Sequence, residues 1–94
     1  MRASLDDQRG DILRIAQAHG ARLVRVFGSH ARGDARSDSD LDLLIDLEPG
    51  RDLLDLVAIK QDLEDLLGRR VDVVTSAALS PYVRERVLNE ALPL

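Results

Sequence analysis

Apolar positions along this chain recur alternately at helical and at strand spacing. Ile12, Ile15, Ala16 and His19 share one helical face, with Ser4 as a candidate cap ahead of them and Gly20 as a stop behind. Residues 21–27 (ARLVRVF) then alternate, Val24 and Val26 against Leu23 and Arg25, which is the period of a half-buried strand. Thirteen residues rich in Gly, Ser, Asp and Arg follow, from Gly28 to Asp40, with room for one short helix. Residues 41–47 (LDLLIDL) form an apolar run closed by Glu48-Pro49-Gly50, and its length and stop favour a strand. Asp52 can cap a helix in which Leu53, Leu56, Val57, Ile59, Leu63, Leu66 and Leu67 mark a wide apolar face, ended by Gly68. Residues 71–75 (VDVVT) read as a third strand. Ser80-Pro81 then opens a last helix carrying Val83, Val87, Leu88 and Ala91. The order is α-β-α-β-α-β-α. It predicts an α/β (α+β) fold, a small mixed β-sheet with helices packed on it.

Composition narrows the possible functions. Ninety-four residues suit a single domain with a small core, so 1–94 is taken as one unit. No stretch approaches the roughly 18 apolar residues of a membrane span. No apolar segment of a signal peptide follows Met1. The chain has no cysteine, so neither a disulfide nor a thiolate metal site is available, in keeping with a cytoplasmic protein. A net charge of −4 speaks against a nucleic-acid-binding surface, and Phe27 and Tyr82 are too few aromatics to stack bases.

Of the 17 acidic residues, 13 are aspartate. Most can serve as caps and turn residues, among them Asp38 with Ser39. Asp40 and Asp42 do more. Two residues apart at the start of a strand, they project to the same side, and a pair of carboxylates there makes a hard oxygen site suited to magnesium. Asp46 shares their parity but lies further along. Gly28 and Ser29 stand where a strand gives way to a helix, a turn that presents backbone N–H groups to a phosphate. Asp72 is a lone acid in an apolar run. If its strand lies beside residues 41–47, it joins the pair. His19, His30, Arg84 and Arg86 read as exposed. The spacing Gly28–Gly33 brushes a P-loop, but Asp34 and Ala35 stand where that motif needs Lys and Ser/Thr. Asp38, Asp40 and Asp42 imitate an EF-hand loop, yet Leu43 and Pro49 occupy its glycine and glutamate positions.

The segment FGSHARGDARSDSDLDLLI resembles the signature of the minimal nucleotidyltransferases, within the DNA polymerase β-type superfamily. That signature is Gly-Ser, ten residues, Asp-x-Asp on a strand, and a third carboxylate on a later strand. The likeness spans nearly the whole chain. It implies that Asp40, Asp42 and Asp72 hold two Mg²⁺ ions, with Asp72 also assisting deprotonation of the attacking hydroxyl. Gly28, Ser29 and Arg32 would bind the triphosphate of ATP. Where His30 stands, many relatives carry arginine or another long side chain. About twenty residues follow Asp72, enough for one helix and too few for an acceptor-binding domain. The resemblance therefore favours an antitoxin that transfers AMP to a tyrosine of a HEPN-type ribonuclease toxin. Two alternatives stand beside it: an antitoxin that works by binding alone, and a small-molecule nucleotidyltransferase. The 53–67 segment and the terminal helix are candidate partner surfaces.

Overall fold

A computed structural model describes residues 5–36 and 39–94, with side chains from residue 8 onward. The cap expected at Ser4 and the turn residue Asp38 lie outside the described residues. Helix α1 (Leu5–Ala18) leads through Gly20 into strand β1 (Ala21–Phe27), and a single helical turn, α2 (Ser29–Arg32), follows it. Strand β2 (Leu41–Leu47), helix α3 (Leu53–Leu67) and strand β3 (Val71–Val74) come next, then a 3-10 turn (Ser76–Ala78) and helix α4 (Pro81–Glu90). Strand β4 (Leu92–Pro93) closes the order.

The four strands form one mixed sheet in the order β3-β2-β1-β4. β1 runs antiparallel to β2 and β4, whereas β2 and β3, joined through α3, are parallel. The register assigns a role to each sheet face. Val24 lies opposite Ile45 and Val26 opposite Leu43 on the first face, where Leu41 and Val71 also pair. Ile12 and Ala16 of α1 and Ile59 and Leu63 of α3 cover these residues and complete the core. Truncating Ile59 or Leu63, both fully buried, to alanine would cost about 2–5 kcal/mol.

The second face carries Phe27, Asp42, Leu44, Asp46 and Asp72, all of opposite parity to the core residues. α4 lies toward this face, and its buried Val87 lines a cavity together with Phe27. Phe27 itself is half-buried and lies outside the main core. The apolar face of α3 is narrower than its sequence suggests: Leu53, Leu54, Val57 and Leu66 are exposed. No described helix is long and apolar enough to cross a membrane.

The element order expected from the sequence omitted one strand. Ala91 adopts extended geometry (φ −66°, ψ 136°) and ends α4. Leu92 and Pro93 then pair with Val26 and Arg25, and the Leu94 N–H donates to the Val24 carbonyl. Proline suits this place because an edge strand can spare its missing N–H. Arg84, read as a solvated residue, instead donates to the carbonyls of Ser76, Ala77 and Leu79, tying α4 to the turn before it.

Candidate active site

The turn after β1 depends on glycine. Gly28 has φ 75° and ψ −149°, a conformation that side chains rarely adopt, and a Cβ there would run into the Asp42 carboxylate. α2 starts immediately, with the Arg32 N–H donating to the Gly28 carbonyl and Gly33 closing the turn in left-handed geometry (φ 81°, ψ 12°). Gly28 and Ser29 are both half-buried at the end of β1.

The carboxylates assemble through sheet register. Phe27 lies opposite Asp42, which is paired in turn with Asp72 on β3. Three neighbouring strands therefore bring Gly28, Asp42 and Asp72 to one end of the second face. Burial raises the Asp42 pKa; repulsion from Asp72, a hydrogen bond shared with it, and repulsion from Asp40 add to the rise, while Arg32 opposes it. Asp40 is exposed and immediately precedes β2, so it reaches Asp42 through its field from the rim of the site. Three carboxylates without a nitrogen or sulfur donor are, in kind, the ligands of a hard divalent cation, and the Asp42–Asp72 repulsion is the charge such an ion would neutralise. Among the described residues no group of three is gathered closely enough to cage a metal by itself. Asp46 accepts a hydrogen bond from the Ser76 hydroxyl at 2.8 Å and is a structural acid.

Sequence reasoning missed one residue beside the site and took another to be exposed. Glu90, at the end of α4, accepts from the Arg32 guanidinium at 2.8 Å and from the Gly28 N–H at 3.4 Å. These bonds, with the Arg32 contact foremost, hold its carboxyl below the usual range. His30 is half-buried, not exposed: its Nε2 lies 3.1 Å from Arg69 Nη1, and it bonds the Ser39 backbone. Burial, and then the Arg69 charge, lower its pKa, so the neutral ring links α2 to the segments leading into β2 and β3. An open cavity of about 400 Å³ adjoins the turn, lined by Phe27, Gly28, Arg32, Arg86, Val87 and Glu90. A histidine between a Gly-Ser turn and an Asp-x-Asp strand was the available signal for one link. Glu90 offered none, because its partners lie some sixty residues away.

A glycine turn facing paired carboxylates at one end of a mixed sheet belongs here to an enzyme that transfers nucleotidyl groups. The chain belongs to the nucleotidyltransferase domain family, which matches residues 11–94, and within it to the minimal nucleotidyltransferases. Protein adenylyltransferase MntA of Thermococcus cleftensis is 40% identical over 78 residues, covering 83% of this chain and 79% of that protein. MJ0435 of Methanocaldococcus jannaschii, provisionally named a protein adenylyltransferase, is 38% identical over 89 residues, covering 95% and 96%. A solved structure provisionally identified as a minimal nucleotidyltransferase superposes with a TM-score of 0.85 at 56% identity, covering 96% of this chain and 92% of that one. The fold is shared, at 17% identity and a TM-score of 0.73, with the structure of a tri-AMPylated Shewanella oneidensis HEPN toxin in complex with its MNT antitoxin, covering 96% and 71%.

Proposed function

We propose that this chain is an antitoxin that transfers AMP from ATP to a tyrosine hydroxyl of a cognate HEPN-type toxin, and so silences it. The observation that carries the proposal is the Asp42–Asp72 pair, in register on adjacent strands and facing the side-chain-free Gly28 turn. The names of the relatives support the adenylyl group and the toxin partner. The 94 residues act as a single catalytic domain, in the cytoplasm, without nucleic acid or membrane as partner.

Gly28 and Ser29 receive the phosphates, with Arg32 as a further contact. Asp40, Asp42 and Asp72 are the residues that would hold magnesium, and the ion would supply neutralisation of the charge that develops during transfer. The tyrosine oxygen attacks the α-phosphorus in line, an O–P bond forms, and the bond to pyrophosphate breaks. Asp72 accepts the hydroxyl proton.

Intact mass spectrometry of the protein encoded beside this one tests the reading. Co-expressed with wild type, that protein gains mass in whole adenylate steps; co-expressed with Asp40→Asn/Asp42→Asn, it gains none. A partner inhibited by both forms without any added mass sinks the catalytic reading and leaves neutralisation by binding.

A further inference from the structure

Glu90 reaches from the end of α4 to two donors of the turn. One oxygen accepts from the Gly28 backbone N–H and the other from the Arg32 guanidinium. An anion bound at the Gly28 turn has the same two donors available to it. The carboxylate comes from a different element, at the end of α4, where the chain leaves the helix for β4. Among the described residues lining the cavity beside the turn, Glu90 is the sole acid, with Arg32 and Arg86 as the basic residues. Its side chain is 22% exposed and that of Arg32 is 53% exposed, so water reaches the ion pair and the pair can exchange partners.

We propose that Glu90 is a displaceable internal occupant of the phosphate cradle, a latch that nucleotide must open before its phosphates reach Gly28 and Arg32. The inference rests on the phosphate-binding role given to that turn above. With the latch closed, Arg32 is held by Glu90 at 2.8 Å beside its longer contact with Asp34 at 3.4 Å, and α4 is tethered to the active-site turn. With it open, Arg32 passes to the phosphate, and Glu90 turns toward solvent or toward Arg86. Nucleotide affinity is therefore lowered by the share of molecules in which the latch is closed, as for any ligand that requires a minor state.

Calorimetric titration of the full chain with Mg-ATP, and separately with tripolyphosphate, measures the competition. Glu90→Gln and Glu90→Ala should each bind both probes roughly five- to tenfold more tightly than wild type. Tripolyphosphate should gain as much as ATP, because the contest is for phosphate and not for the base. Wild-type binding with unchanged or weaker binding by the variants overturns the latch and makes Glu90 a buttress of the turn. Failure of every form to bind either probe overturns the phosphate-binding role as well. Should the variants not fold, carbon NMR of wild type reads the same event. The Glu90 carboxyl signal must shift as tripolyphosphate saturates the protein, and an unmoved signal rejects the latch.

Discussion

Asp42 meets two opposed demands, since the charge that suits it to a cation costs stability when no cation is bound. Its folded pKa is raised above the ordinary 3.8, so the fold holds its proton more tightly than the unfolded chain does. The cost, from burial first and from repulsion by Asp72 and Asp40 after it, is absent below that ordinary value and appears as pH rises through it toward the folded value. At neutral pH, Asp42→Asn should raise Tm of the metal-free protein by roughly 1–4 °C, a range kept small because the group is partly solvated. The same variant should transfer nucleotide at least roughly 100-fold more slowly. Millimolar Mg²⁺ should raise Tm of wild type and leave the variant nearly unmoved; a thermal melt with and without the ion reads both. His30 responds in the opposite sense. Its folded pKa lies below the ordinary 6.5, so stability from the neutral ring is present above 6.5 and lost as pH falls through it. Melting between pH 7.5 and 5.5 should lower Tm of wild type more than that of His30→Gln.

The elements that hold these residues are fixed mainly by local chemistry. α3 opens with a capping box: the Leu54 N–H donates to Asp52 Oδ1 at 2.9 Å, and the Asp52 N–H donates to Asp55 Oδ2 at 3.1 Å. Asp52→Ala should cost about 1 kcal/mol and lower Tm by about 4–8 °C, read by calorimetry. Such elements were legible because their signals are short-range: apolar rhythm, caps, and Gly20 and Gly68 as stops. Gly28 and Asp42 were legible too, one as a turn glycine and the other as half of an Asp-x-Asp pair. The identity of the strand beside Asp72 was conditional, since parity alone cannot choose a neighbour. β4 escaped notice because two residues carry no period and depend on the open edge of β1. α3 was read as too broadly buried, since its leucines mark an apolar face without saying how far the sheet extends beneath it. Arg84 looked like a solvated helix residue and Glu90 carried no signal at all; the partners of both are set by how α4 docks, which no local pattern encodes.

The whole molecule divides its sheet between two tasks, one face packed by α1 and α3 and the other bearing the carboxylates. If nucleotide binds the second face, as proposed above, it stabilises the folded chain by mass action. At 100 times its Kd, Mg-ATP should add about 2.7 kcal/mol and raise Tm by about 10–20 °C. Asp40→Asn/Asp42→Asn should lose most of that rise in a thermal-shift assay. The alignment of β2 with β3 also limits how the chain can evolve. Lys60 Nζ donates to the Val71 carbonyl at 2.6 Å, and Glu64 accepts from the Val71 N–H at 3.0 Å, so α3 pins the first residue of β3. One residue added between Leu67 and Val71 would either break that pin or slide β3 by a single position. The slide would turn Asp72 into the apolar core and set a valine beside Asp42. Descendants can thus vary the identity of Arg70 far more freely than the number of residues between Leu67 and Val71, since Gly68 holds the left-handed cap of α3 and Arg69 meets His30.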